Sequence, residues 1–288
     1  MKILYSKEFV DSETLRLKQF VDTFEYKPKL AIIVAKDYSN ASSRYVKNKH
    51  NIASKIGVDV VQYDVEWENV DENEFSRHMF DLIDNLNNDD SVDGIIVQLP
   101  VPYLPEYKIS KAIIPSKDVD GFHSYNLGNV MRGLETFVSC TPKGIIDLMK
   151  YHKVDFVGKT VCIIGRSNIV GKPLANLLIN HGATVISCNS MTDDLKKYTK
   201  ISDIVICAIG KAKYFDKSYF NENCIIIDVG INFDENGKMC GDVDFDNVKD
   251  YVKAITPVPG GVGPCTVLSL MKNTIQSSVN KKNSLVDI

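Results

Sequence analysis

The sequence predicts an α/β fold in two α/β domains, the second a Rossmann-like doubly wound parallel sheet. Three observations carry this. Apolar runs of strand length recur along the 288 residues and alternate with segments of helical periodicity. Thr141-Pro142, an N-cap followed by proline at the first helical position, opens a helix to about Tyr151 and marks the start of the second domain. From Thr160 onward strand and helix alternate regularly, which calls for a parallel sheet.

The first half is read in chain order. Lys29–Ala35 (KLAIIVA) is a buried parallel strand. Ser42 and Ser43 offer N-caps for a helix to about Ile56, closed by Gly57. Tyr45, Lys49, Ile52, Ala53 and Ile56 share one face of that helix, so Lys49 interrupts the inward face one turn after a tyrosine. An isolated lysine there has its stem buried and its ammonium in water. Beside Tyr45, near a helix start, it also fits a cleft wall, where partial desolvation lowers its pKa. Val58–Val65 is a second strand and Glu72–Leu86 a helix with Phe75, Met79, Leu82, Ile83 and Leu86 as its core face. Val92–Leu99 is a third strand, stopped by Pro100 and Pro102. Gln98 stands at its C-terminal end, where open α/β sheets place ligands; a plain hydrogen bond closing the strand end explains it equally well. In Pro115–His123 (PSKDVDGFH), Asp-Gly reads as a turn. The sharper reading is that Asp120 accepts two hydrogen bonds from a planar donor pair of a ligand.

The second half opens on Thr160–Leu174 (TVCIIGRSNIVGKPL): strand, tight turn at Gly165, then a helix with Pro173 in its first turn. The helix start is expected to present unpaired backbone N–H groups to an anion. This is not G-x-G-x-x-G, because Ser167 occupies the second glycine position, and the stretch alone fits a nucleotide site and a plain turn equally. Ala183–Cys188, Ile204–Ile209 and Cys224–Val229 are further strands, with a short helix at Asp193–Thr199. An NAD site usually has an acid at the end of its second strand; here stand Asn189 and Ser190. A neutral Ser190 with Arg166 nearby favours NADP over NAD, unless Ser190 only caps the next turn. The segment Ile255–Thr266 (ITPVPGGVGPCT) is too rich in proline and glycine for helix or central strand. It reads as an ordered loop bringing backbone close to a ligand and feeding a helix, Val267–Ile275.

Composition narrows the function class. Hydrophobic residues make up 44% and charged residues 25%, with a net charge of −3, so nothing points to nucleic acid or an anionic membrane. No apolar run reaches the roughly 20 residues of a membrane span, and the N-terminus lacks the features of a signal peptide. The seven cysteines show no C-x-x-C and sit mostly in apolar runs, which fits buried, reduced thiols and a cytoplasmic location. The histidines show no metal-ligand spacing, and no metal is expected.

Taken together, these motifs resemble the bifunctional methylenetetrahydrofolate dehydrogenase/cyclohydrolase (FolD) family. The resemblance rests on ASSRYVKNK (41–49), VQLPVP (97–102), KDVDGFH (117–123), TPKG (141–144), GRSNIVGKP (165–173), DVGIN (228–232), GDVDF (241–245) and TPVPGGVGPCT (256–266), in order along nearly the whole chain. It implies that Lys49 is the catalytic lysine, Tyr45 stacks on the folate, Gln98 tunes the lysine and Asp120 binds the pterin edge. Pro259 and Gly260 would line the folate site, and Gly165, Arg166, Ser167, Ser190 and Ile231 would contact the dinucleotide, NADP with NAD possible. Asn189 departs from the histidine that many members carry there. The implied reactions are oxidation of 5,10-methylenetetrahydrofolate and hydrolysis of the methenyl product to 10-formyltetrahydrofolate. The implied assembly is a homodimer, with the folate cleft between the two domains. Residues 1–120 plus 270–288 are expected to form the folate-binding domain and 121–269 the dinucleotide domain. Two rivals are a shikimate dehydrogenase-like enzyme and a nucleotide-sensing module without catalysis. The first does not account for Tyr45, Gln98 and the TPVPGGVGP loop together, and the second does not need Lys49.

Overall fold

The computed structural model describes residues 2–36, 38 and 40–286, without the side chains of 40–45 and 284–286. By compactness the chain forms two units, one of Ser12–Asn129, Glu135–Cys140 and Val267–Ile288, the other of Met1–Asp11, Val130–Leu134 and Thr141–Thr266. The first eleven residues group with the second unit, not with the rest of the first 120. The reason is local: Lys2–Ile3 pairs in parallel with Ala254–Ile255.

The first unit is built on a three-stranded parallel sheet in the order Asp59–Val65, Lys29–Ala35, Gly94–Gln98. From Leu30 on the central strand is apolar because both of its faces are covered; Leu30 to Ile33 have no exposed surface. Asp59–Val65 is an edge strand and correspondingly polar and half-exposed. Helix Glu72–Asn88 buries Phe75, Met79, Ile83 and Leu86 against the sheet and is N-capped by Asp71, whose carboxylate accepts the Asn73 and Glu74 N–H groups. Helix Asn40–Ile56 follows the central strand and ends at Gly57, with Ala53 and Ile56 buried.

The second unit carries a six-stranded sheet in the order Lys2–Ile3, Ala254–Ile255, Ile225–Asp228, Ile204–Cys207, Thr160–Ile164, Thr184–Cys188, all parallel. Two short strands, Asn232–Phe233 and Met239–Cys240, form an antiparallel hairpin beside it. The expected strands of this sheet are present, with Ala183–Cys188, Ile204–Ile209 and Cys224–Val229 each one or two residues shorter than expected. The seven cysteines are free and buried, four of them (Cys162, Cys188, Cys207 and Cys224) in the core of this sheet. Among the described residues no helix is long and apolar enough to cross a membrane.

One reading needs correction. The C-terminal helix runs Val262–Val286, so the last part of the proline- and glycine-rich segment is helix, not loop. Gly263 and Pro264 lie in its first turn, where a missing N–H costs nothing because that N–H has no partner within the helix.

Candidate active site

In the first unit the structure brings together Lys49, Gln98 and Asp120. Lys49 is half-buried on the helix after the central strand, and Gln98 is the last residue of the neighbouring strand. The Lys49 ammonium donates to Gln98 Oε1 at 2.8 Å, and Gln98 Nε2 donates to the Leu99 carbonyl at 3.0 Å. The second bond fixes which end of the amide faces the lysine. Burial pushes the Lys49 pKa below its ordinary value, opposed by the nearby charges of Asp120 and Cys140. Asp120 moves the other way: burial raises its carboxyl to about 6, against the pull of Lys49. A lysine readily made neutral therefore stands near a carboxyl readily made neutral, an arrangement suited to proton exchange near neutral pH. The side chain of Tyr45 lies outside the described residues.

The segment that presents Asp120 is organised by neighbours that motif reading passed over. Lys117 Nζ donates to the carbonyls of Leu86, Asn87 and Asp89 at 2.7–2.8 Å, closing the C-terminal end of helix Glu72–Asn88. Asp118, buried, accepts the N–H groups of Gly121, Phe122 and His123 and the Asn126 amide. Val119 fills the space left by Gly94, where a Cβ would come 2.7 Å from it. The backbone also lies along strand Gly94–Gln98, the Ile95 N–H donating to the Lys117 carbonyl at 2.8 Å. Alternation puts Asp118 and Asp120 on the same side of the segment, so the pattern K-D-V-D does not tell them apart; the donors that converge on Asp118 do.

In the second unit Gly165 has φ +126°, and a Cβ there would fall 2.3 Å from the Ala208 carbonyl oxygen. No other residue fits this turn. The expectation of open N–H groups at the following helix, Gly171–Asn180, fails at residues 170–172. Ser167 Oγ accepts from Val170 and Gly171, and the Ser167 carbonyl accepts from Lys172. Ser167 thus satisfies the helix start itself, and the turn offers the exposed side chains of Arg166 and Ser167 in place of bare backbone.

Gly165 is tied to the end of the next strand by its N–H bond to the Cys188 carbonyl at 2.9 Å. Asn189 then builds a tight turn: its Oδ1 accepts from the Met191 N–H and its own N–H donates to Thr192 Oγ1. Ser190 is exposed within that turn, and its side chain is not the group that closes it. Ile231 is 38% exposed just beyond strand Ile225–Asp228. The cis Val258–Pro259 peptide precedes Gly260, whose carbonyl accepts both the N–H and the hydroxyl of Ser6 at 2.9 Å.

Comparison with known proteins agrees with this geometry. Residues 4–120 match the family described as tetrahydrofolate dehydrogenase/cyclohydrolase, catalytic domain, and residues 139–282 match its NAD(P)-binding domain. The bifunctional protein FolD of Mycoplasma capricolum subsp. capricolum is 48% identical over 282 residues, covering 96% of this chain and 97% of that one. Among solved structures, the bifunctional FolD methylenetetrahydrofolate dehydrogenase/cyclohydrolase of Campylobacter jejuni superimposes with a TM-score of 0.91 at 42% identity, covering 98% of this chain and 99% of that one. The Trypanosoma brucei enzyme, solved with NADP cofactor and an inhibitor, gives 0.89 at 29% identity, covering 97% of each. With two domain matches in order and relatives aligned end to end, this chain belongs to the tetrahydrofolate dehydrogenase/cyclohydrolase family.

Proposed function

We propose that this chain is a bifunctional enzyme of one-carbon metabolism. It oxidises 5,10-methylenetetrahydrofolate with NADP⁺ and hydrolyses the resulting 5,10-methenyltetrahydrofolate to 10-formyltetrahydrofolate. The observation that carries this is the half-buried Lys49 bonded to Gln98 beside Asp120, in a chain that aligns with the FolD proteins over its whole length.

The residues of the second unit fit a dinucleotide: a turn with no room for a Cβ at Gly165, the exposed Arg166 and Ser167 beside it, and an uncharged Ser190 beyond the adjoining strand. Gly165, Arg166, Ser167, Ser190 and Ile231 are assigned to hold it, Arg166 and Ser190 at a phosphate. Asn189 takes the place of the family's histidine without adding charge, which leaves Arg166 as the cation of this set. Bound NADP⁺ supplies a nicotinamide ring that accepts a hydride. For the oxidation the chain's task is to hold the folate in place, because the N5 lone pair stabilises the cation that forms and no strong base is needed.

Hydrolysis draws on the lysine. A water adds to the methenyl carbon and gives up both of its protons: one ends on N5 as the bond from that carbon to N5 breaks, the other is released to solvent, and the formyl group remains on N10. Neutral Lys49 accepts and returns the proton, and Gln98 aims it. Asp120 accepts the paired N–H groups of the pterin edge. Tyr45, Pro259 and Gly260 are assigned folate contacts from the family pattern. A homodimer in the cytoplasm, with no nucleic-acid partner, completes the reading.

The test is a paired assay on the purified chain. With 5,10-methylenetetrahydrofolate, reduced cofactor should form faster with NADP⁺ than with NAD⁺, and added methenyltetrahydrofolate should disappear without either. No reduced cofactor with NADP⁺ or NAD⁺ would remove the dehydrogenase assignment and leave the two rivals open.

A further inference from the structure

Two carboxylates in the second unit contribute to no step above, yet they are among its most enclosed polar groups. Asp242 has no exposed surface, and Asp228 is 3% exposed at the end of strand Ile225–Asp228. Both oxygens of Asp242 are fully used. Oδ2 accepts the N–H groups of Ile209 (2.6 Å) and Gly210 (3.1 Å); Oδ1 accepts the Lys211 N–H (2.8 Å) and the Asn232 side-chain amide (2.9 Å). Asp228 accepts the N–H groups of Gly230, Asp242 and Val243 at 2.9–3.1 Å. The packing leaves no slack. A Cβ at Gly230 would fall 2.2 Å from Asp242 Oδ1, and one at Gly241 1.9 Å from Asp228 Oδ2.

What these bonds hold is informative. Ile209–Lys211 is the turn that leaves strand Ile204–Cys207, and it starts one residue after Ala208, whose carbonyl abuts Gly165. Gly230–Asn232 is the turn that leaves the adjoining strand, and it carries Ile231 between two residues that both bond to the acid pair. The C-terminal ends of parallel strands are where such sheets bind ligands. One side chain therefore sets two neighbouring turns at that end, with the predicted dinucleotide residues Gly165 and Ile231 alongside.

We propose that Asp242 is a positioning residue for dinucleotide binding: its carboxylate holds the Ile209–Lys211 and Gly230–Asn232 turns in the arrangement that accepts NADP⁺, and Asn232 is the link between them. The inference rests on the dehydrogenase reading. It also separates the two activities, because methenyl hydrolysis needs no dinucleotide.

Asparagine cannot replace Asp242. It has one acceptor oxygen, so in either orientation its NH₂ faces two donors: the Ile209 and Gly210 N–H groups, or the Lys211 N–H and the Asn232 amide. The experiment measures NADP⁺ binding by calorimetry and methenyltetrahydrofolate hydrolysis without cofactor, in the full chain, for wild type, Asp242→Asn and Asn232→Ala. Asp242→Asn is expected to weaken NADP⁺ binding roughly tenfold or more, the scale of losing a hydrogen bond to a charged group. Asn232→Ala should weaken it less, about threefold. Hydrolysis stays near the wild-type rate in both. If Asp242→Asn does not fold, Asn232→Ala decides alone. Unchanged NADP⁺ affinity in the folded variants overturns the positioning role, as does a loss of hydrolysis equal to the loss of binding. A wild type that binds no NADP⁺ would instead contradict the dehydrogenase reading beneath it.

Discussion

The two units use buried aspartates in opposite ways. In KDVDG the work is divided: Asp118 accepts three backbone N–H groups and the Asn126 amide, and Asp120, two residues on, faces Lys49. In DVGIN and GDVDF it is not: Asp228 and Asp242 are both occupied with backbone and amide donors. A buried carboxylate surrounded by N–H groups builds loops. One that faces a half-buried lysine is positioned for chemistry. Burial alone does not separate the two kinds, since it raises Asp120 to about 6 and Asp228 to about 7. The donors do.

The comparison can be broken most severely at Asp118. Asp118→Ala strands three backbone N–H groups and an amide, and should cost about 4 kcal/mol, read as a fall in the denaturant midpoint. A loss under about 1 kcal/mol would show that Asp118 does not hold the loop. Gly241→Ala probes the other unit, where the added methyl collides with the Asp228 carboxylate. About 3 kcal/mol of destabilisation is expected, measured the same way.

Asp120→Asn should behave differently. The folded chain holds the Asp120 proton more tightly than the unfolded chain, whose carboxyl titrates near its ordinary value. Wild-type stability therefore falls as pH rises through the window from that ordinary value to about 6. The variant lacks this slope and should be the more stable of the two at neutral pH, with weakened folate binding. Unfolding curves with the same pH dependence in both proteins would sink this account of Asp120. The smallest effect is expected at the surface. Ser190→Asp places a negative charge beside the assigned phosphate and should weaken NADP⁺ binding by about 1 kcal/mol, roughly fivefold. Equal affinity would remove Ser190 from the site.

Much of the fold was legible because continuous apolar runs such as Lys29–Ala35 and Thr160–Ile164 are central strands buried on both faces. Helix Lys7–Val21 went unread, although Phe9, Val10, Leu17 and Val21, all buried, stand at helical spacing. Other features were not legible. The hairpin strands Asn232–Phe233 and Met239–Cys240 are two residues each, too short for any period to register. The helix start at Val262–Cys265 is hidden by glycine and proline, which local rules read as loop. At the site, the Lys49 face was visible in the helical spacing, whereas its partner Gln98 lies 49 residues away and depends on strand register. Asp228 and Asp242 read as turn formers, because what distinguishes them is the set of donors converging on them, and that exists only in the fold.

The central claim is that Lys49, bonded to Gln98 and depressed in pKa by burial, drives the hydrolytic half of a bifunctional folate enzyme. The most direct test is the rate of methenyltetrahydrofolate hydrolysis in Lys49→Met, with spontaneous hydrolysis subtracted and folate binding measured in parallel. The expected result is a loss of at least a hundredfold, the scale of removing a proton-transfer group, with binding largely retained. Hydrolysis at the wild-type rate in a variant that still binds folate would contradict it.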